Sequence, residues 1–370
     1  KVFIHRNSNS IFKMKAIGIF RGFPGLGRVV AGLDILNQLQ VSVKLEAIVY
    51  TYFQGYELSK SYNFDFRNIE NRNDISSIGI IPVSKSGETI IDSIEEYNPD
   101  FVLIDGEPLL VTAIKLRFPK VNVVALLNPF DVENPHNNLS SQLFFKDCYS
   151  KADISIVHGL WKVVKPYSFK KSFHSINTFI RHDLDEIIPN INSNRIACIL
   201  GGGTVNSSEL FFENTIRISQ QIIELANKQQ KYYFDIYCGC ETIYSRVIHL
   251  KNGVSNIGIH RQIHNPAQLY NSTKAVIARG GRNTVSELLS LNLPSILFST
   301  TCEVRGTEQQ ANITIAQNIS PNIIGVTLST DSNTIEERFN KIISSGIRKV
   351  EWSSGNKTLF EILQTELPCM

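Results

Sequence analysis

Residues 275–298, AVIARGGRNTVSELLSLNLPSILF, carry side chains and a backbone pattern suited to holding a nucleoside diphosphate. The apolar run Ala275–Ala278 has the composition of a buried parallel strand. Arg279, Gly280 and Gly281 break that run, and two adjacent glycines permit positive φ and a close ligand approach. Asn283 or Thr284 can cap the helix that carries Val285, Leu288 and Leu289. The free N–H groups and the dipole at such a helix start favour a phosphate. Glu287 lies about one turn into the same helix, where it can accept hydrogen bonds from ribose hydroxyls. A plain strand–turn–helix connection has the same appearance. The polar cluster Glu308, Gln309 and Gln310, beyond the next strand at Ser295–Phe298, is the feature that separates the two readings.

Further glycine turns follow apolar runs elsewhere. Arg195–Leu200 reads as a strand that ends in Gly201, Gly202, Gly203 and Thr204, roughly eighty residues before the helix that carries Glu287. Near the start, Ala16–Phe20 leads into Gly22, Gly25 and Gly27 and then an amphipathic helix with Val30, Leu33, Ile35 and Leu36. A dinucleotide fingerprint would need a third glycine where Val30 stands, which disfavours a nicotinamide enzyme.

The stretch PDFVLIDGEPLLVTAIKLRFPKVNVVALLNPFD holds two more buried strands, Phe101–Ile104 and Val121–Leu127. Asp105 and Glu107 fall at the carboxyl end of the first, and Asn128 and Asp131 just beyond the second. In open α/β sheets ligands bind at that edge. Asp105, Glu107, Asp131 and His136 are therefore candidate bases for an acceptor hydroxyl, with a helix cap at Asp105 and a turn at Asp131 as the competing local roles.

The segment RGGRNTVSE resembles the donor-binding signature of inverting GT-B glycosyltransferases, above all those related to the N-acetylglucosaminyltransferase that forms lipid II and, more distantly, the UDP-glycosyltransferases. The resemblance implies two Rossmann-like α/β domains with a cleft between them. It implies that Arg279, Gly280, Gly281, Arg282, Asn283 and Thr284 hold the donor diphosphate, that Glu287 binds ribose, and that Glu308, Gln309 and Gln310 bind the donor sugar or nucleoside. It also places the backbone of Ile263 against the base, and Gly202, Gly203 and Thr204 beside the donor. The family's first loop usually ends in Gly-x-Gly-His; here Gly25 and Gly27 are kept, and Arg28 stands at the histidine position. That departure removes a base and supplies a cation that can neutralise a phosphate.

Composition fits this plan. The 370 residues suit two α/β domains, expected at 14–188 and 194–350 with a last helix in 351–370 crossing back to the first. The boundary falls in HDLDEIIPNINSNR. The net charge of +3 is spread over both halves, which makes nucleic acid an unexpected partner. Six cysteines show neither metal-ligand spacing nor a disulfide framework, and His260 with His264 lacks a third ligand, so no metal site is expected. Cys238-Gly-Cys240 reads as a strand-end turn rather than a redox pair. No apolar run has membrane-spanning length and no secretory segment is visible, so a cytoplasmic protein with reduced thiols is expected. Met14 reads as a start preceded by an extension. Lysines interleaved with aromatics over 161–174 allow peripheral contact with the inner membrane face; a solvated basic surface over buried rings is the simpler alternative.

The functional expectation is a metal-independent hexosyltransferase that moves a sugar from a nucleotide-sugar donor, UDP-linked by the resemblance, to a small-molecule, glycan or lipid-linked acceptor, with no cofactor. A nucleotide-sugar epimerase or hydrolase of the same fold, and a non-catalytic nucleotide-sugar-binding subunit, are the alternatives.

Overall fold

The computed structural model describes residues 14–22, 26–52, 54–60, 62–68, 85–134, 139–184, 186–190, 192–201, 209–251, 253–261, 263, 266–300 and 306–367. Two open parallel sheets organise it. The first contains β1 (Met14–Phe20), β2 (Leu45–Thr51), β3 (Asp65–Asn68), β4 (Phe101–Asp105), β5 (Asn122–Leu127), β6 (Ile154–Gly159) and β7 (Ser172–Asn177), in the order β3-β2-β1-β4-β5-β6-β7. The second contains β8 (Arg195–Ile199), β9 (Tyr233–Tyr237), β10 (Ile257–His260), β11 (Ala275–Arg279), β12 (Ser295–Ser299) and β13 (Ile323–Thr327), in the order β10-β9-β8-β11-β12-β13. The expected GT-B fold class is borne out.

Helices cover both faces of each sheet, which is why the central strands are mostly apolar: β4, β11 and β12 are buried at every position. In the first half these are α1 (Gly27–Ser42), α2 (Gln54–Ser59), α3 (Lys85–Tyr97), α4 (Pro108–Arg117), α5 (Pro129–Val132) and α6 (Leu139–Tyr149). In the second they are α7 (Glu209–Lys228), α8 (Glu241–Val247), α9 (Pro266–Asn271), α10 (Arg282–Leu291), α11 (Gly306–Ile319) and α12 (Ser332–Ser344). A final helix, α13 (Asn356–Glu366), buries Leu359, Ile362 and Leu363 in the same core as Met14, Leu33 and Leu103. Asn356 fixes its start by exchanging hydrogen bonds with the backbone of Ile180, at 2.8 and 2.9 Å. No helix among the described residues is long and apolar enough to cross a membrane.

Strand order reverses between β1 and β4 in one sheet and between β8 and β11 in the other. At such a reversal the two flanking loops diverge and leave a crevice at the carboxyl edge. Arg28 and Asp105 stand at the first crevice, Gly201 and Arg279 at the second.

Two local expectations are corrected. Neither Gly280 nor Gly281 adopts positive φ; among the described residues the left-handed glycines are Gly106, Gly201, Gly239, Gly253 and Gly346. Gly280 is small for packing, since a Cβ there would lie 2.6 Å from Ile313 of α11. Neither Asn283 nor Thr284 caps α10: the helix begins at Arg282, with Gly281 extended at the cap position and no side-chain cap.

Candidate active site

The first crevice is organised by one cation. Arg28, on the first turn of α1, bonds Asp105 through Nη1 and donates from Nη2 to both carboxylate oxygens of Asp131 at 2.9 Å. Asp131 is held a second time: its Oδ2 accepts the Asn128 N–H at 2.8 Å while the Asn128 carbonyl amide accepts the Phe130 N–H, a reciprocal cap on α5. Burial pushes both carboxyls upward. For Asp105 burial prevails against Arg28 and Arg282, and its pKa is raised; for Asp131 the Arg28 charge and the Asn128 amide prevail, and its pKa is lowered. The pair is thus split into a more basic Asp105 and a firmly ionised Asp131, a separation suited to acid–base work. Asp105 does not cap α4; Glu107 takes that position without a side-chain cap and accepts from the Tyr52 hydroxyl at 2.5 Å. Gly106, at φ +94°, lets the chain turn against Arg21 and Arg28, where a Cβ would lie 2.6 and 2.9 Å from their side chains.

Across the cleft, Glu287 lies one turn into α10, part-buried, and accepts from the Tyr270 hydroxyl at 2.7 Å. Burial lifts its pKa to about 7, against the pull of Tyr270 and Arg181 and with a small push from Asp183. Arg279 is turned into the second domain, where it donates to Thr215 and Thr300 and lies over the Phe211 ring. Gln309 accepts from both the amide and the hydroxyl of Thr300, and Gln310 from the Ser299 hydroxyl, so both tie the end of β12 to α11. Ile263 is half-buried against the core beneath α10.

Side-chain hydrogen bonds bridge the domains. Asn283 donates to the Gly27 carbonyl at 3.2 Å, Arg282 to the His158 carbonyl at 2.9 Å, and Asn128 to Glu308 at 2.7 Å. Gly27 and Asn283 pack closely: a Cβ on Gly27 would come to 3.0 Å from the Asn283 amide nitrogen. The start of α10 therefore meets the edge that carries Arg28, Asp105 and Asp131. Gly25, His136, Gly202, Gly203, Thr204 and His264 lie outside the described residues.

Sequence reading passed over His158 and Asp34. His158 closes the apolar strand β6, fully buried, with its Nδ1 accepting the Phe179 N–H at 3.2 Å. The rule that singles out polar residues at the carboxyl end of an apolar run finds Asp105, and applied to ISIVHG it finds His158 too. Asp34, buried in α1, accepts from His182 at 2.6 Å and so ties α1 to the segment joining the sheets; nothing in the linear pattern marks that partner. Elsewhere, His260 bonds Asp235 at 2.8 Å and stacks on Tyr237. Cys238 is buried, its thiol pushed up to about 12 by burial and by Cys240. Among the described residues no group of three or more His, Cys, Asp and Glu is placed to hold a metal.

Residues 198–321, from β8 through α11, match the glycosyltransferase family 28 C-terminal domain. With the fold and the paired crevices, this match makes the chain a GT-B glycosyltransferase. It is related to the lipid II-forming N-acetylglucosaminyltransferases. It is 24% identical over 353 residues to the UDP-N-acetylglucosamine–N-acetylmuramyl-(pentapeptide) pyrophosphoryl-undecaprenol N-acetylglucosamine transferase of Thermosipho melanesiensis, covering 91% of this chain and 94% of that one. In fold it is similar to MurG of Acinetobacter baumannii, with a TM-score of 0.59 and 15% identity over 95% of this chain and 99% of that chain. The same fold is found in the UDP-GlcNAc 2-epimerase of Neisseria meningitidis, at a TM-score of 0.59 and 15% identity over 96% of this chain and 99% of that one.

Proposed function

We propose that the protein transfers a sugar, with inversion, from a UDP-linked donor held by the second domain to an acceptor hydroxyl held by the first. The observation that carries this reading is the meeting of α10's first turn with the Arg28 edge through the Asn283–Gly27 contact. The donor diphosphate is received by the free N–H groups of Arg282, Asn283 and Thr284, with the Arg282 guanidinium beside them. Glu287 receives the ribose, and Glu308 exchanges its bond from Asn128 for the donor sugar. Gln309 and Gln310 act by holding the β12–α11 turn in shape.

Asp105 is the base. It takes the acceptor's proton as the oxygen attacks the anomeric carbon, and the bonding pair leaves with the nucleoside diphosphate. Arg28 keeps Asp105 and Asp131 together without removing Asp105's basicity, while Asp131, ionised and fully bonded, fixes Arg28. Glu107, bonded to Tyr52, supports the turn.

The curated relatives' names give an undecaprenol-linked acceptor, and a lipid-linked acceptor is proposed here as well. Exposed apolar side chains support peripheral contact with the inner face of a membrane: Leu139, Leu143 and Phe144 on α6, and Val164 and Tyr167 in the basic stretch that follows β6. Phe169 of that stretch is buried against Phe173, so its rings serve both roles weighed for it.

Thermal shift with UDP, GDP, dTDP and ADP tests the donor site, because a ligand bound only by the native state raises the melting temperature. Stabilisation by UDP is expected, and no shift with any of the four overturns the donor site. Mass spectrometry of products formed from UDP-sugars with cell extract separates transfer from epimerisation, the reading favoured by the epimerase likeness. Binding without turnover would instead indicate a non-catalytic subunit.

A further inference from the structure

An acid and an imidazole at the first domain's edge each keep a buried polar atom without a hydrogen-bond partner among the described residues, Asp105 Oδ2 and His158 Nε2, alongside the hydroxyls of Thr51 and Thr178. Both side chains lie on one face of the sheet. Asp105 stands beside Leu126 in register, and Leu126 beside Ile156. The two-residue period of a strand then puts His158 on the same face as Ile156. That face is the one covered by α1 and α13, since Leu103, Leu126 and Ile156 share a core with Leu33 and Leu359.

The two atoms are chemically complementary. Phe179 donates its N–H to His158 Nδ1, so the proton of the neutral ring resides on Nε2, which is therefore a donor. Burial, Arg282 and Arg28 all hold the imidazole neutral by lowering its pKa. Asp105 Oδ2 is an acceptor, its sister oxygen being engaged by Arg28. A buried donor and a buried acceptor left unmet each cost stability, and natural structures rarely leave them so without a use. A hydroxyl has the chemistry to satisfy such a pair, since it accepts one hydrogen bond and donates one. The bond from Arg282 to the His158 carbonyl places this pair next to the start of α10.

We propose that His158 is a positioning residue for a ligand hydroxyl: Nε2–H donates to the hydroxyl oxygen while the hydroxyl donates to Asp105 Oδ2. The inference rests on the donor reading above. If the hydroxyl is the acceptor's, its oxygen attacks the anomeric carbon, its proton passes to Asp105, the sugar–phosphate bond breaks with its electron pair on UDP, and His158 keeps its own proton throughout. If the hydroxyl belongs to the donor sugar, no proton moves and the pair selects the sugar.

Two variants separate this role from a structural one. His158→Asn keeps an acceptor for the Phe179 amide but has no donor at the Nε2 position. His158→Gln carries an N–H close to Nε2 and gives up the Phe179 bond. For each, calorimetry measures the affinity for UDP and for UDP-N-acetylglucosamine, and UDP release at saturating sugar nucleotide is followed with cell extract as the acceptor source. The expected result is an unchanged UDP affinity and a loss of about tenfold or more in His158→Asn that His158→Gln largely restores. A loss confined to sugar-nucleotide affinity assigns the hydroxyl to the donor sugar, and a loss confined to the rate assigns it to the acceptor. If both quantities stay within about twofold of wild type in His158→Asn, or if His158→Gln is the more damaged variant, the inference is overturned while the donor reading stands. Wild-type protein that binds neither UDP nor UDP-N-acetylglucosamine overturns both.

Discussion

Arg28 Nη2 lies 2.9 Å from each carboxylate oxygen of Asp131, and the same guanidinium bonds Asp105 through Nη1, so one arginine on α1 joins the end of β4 to α5, the short helix that follows β5. The guanidinium thus divides its two terminal nitrogens between two carboxylates, Nη2 for Asp131 and Nη1 for Asp105, a division that a single ammonium does not reproduce. The position that the resemblance assigns to a histidine is thus occupied by a cation that orders two acids.

Removing that cation leaves the buried Asp105 carboxylate and the part-buried Asp131 carboxylate without their shared counter-charge. Arg28→Met is predicted to lower unfolding free energy by about 3 kcal/mol, measured by urea denaturation at pH 7. Arg28→Lys should recover only part of the loss. A change below about 1 kcal/mol in Arg28→Met would show that Asp105 relaxes by taking up a proton at little cost.

The two acids should separate on mutation. Asp105→Asn is predicted to reduce turnover by about 10²- to 10⁴-fold with UDP affinity held. Asp131→Asn should act mainly on stability, through the released Arg28. Because the pKa of Asp105 is raised, the rate falls as pH drops through that raised value. Equal turnover in wild type and Asp105→Asn would remove Asp105 from the chemistry.

Glu287 imposes a pH dependence on stability. Its folded pKa is about 7 against an ordinary value of 4.5, so between those values the folded state holds a proton that the unfolded chain has released. Stability therefore declines as pH rises from about 4.5 to 7, by at most about 1.4 kcal/mol per unit. Glu287→Gln should flatten this decline and weaken UDP binding, each read by thermal unfolding across pH with and without UDP. A decline that persists in Glu287→Gln would assign the dependence to another group.

The return of the chain's end to the first domain depends on a contact too close for any side chain. Gly355 donates its N–H to the Thr178 carbonyl at 2.9 Å, and a Cβ on it would lie 2.0 Å from the Asn177 carbonyl oxygen. Gly355→Ala is predicted to cost about 1–3 kcal/mol and to raise hydrogen exchange along α13. Wild-type protection of Leu359 and Leu363 in that variant would show that the segment shifts without undocking.

Much of the architecture is legible in linear form. Continuous apolar runs such as Phe101–Ile104 and Ala275–Ala278 are strands buried on both faces, and each is extended in the structure by a single residue, Asp105 and Arg279, that carries a functional type of side chain. The Gly-Gly turn was located correctly but for a different reason, since packing on Ile313 rather than positive φ requires Gly280. The candidate carboxylates are visible as polar residues at strand ends, with Asp105 the first choice there, but the sequence supplies no partner that sets one apart from another. Asp105, Glu107 and Asp131 read alike until Arg28, Tyr52 and the Asn128 amide distinguish them.

Periodicity, strand-end polarity and glycine position are local properties, written in residues a few places apart, and from them the sequence by itself determined two parallel α/β halves and the strand–Gly-Gly–helix unit of β11 and α10. Which side chains meet across the cleft belongs to the tertiary structure alone. Arg282 finds the His158 carbonyl 124 positions away, and Asn128 finds Glu308 180 positions away. Those meetings follow from how two sheets and one returning helix pack, and burial then sets the protonation of Asp105, His158 and Glu287 through solvent exclusion by residues distant in the chain.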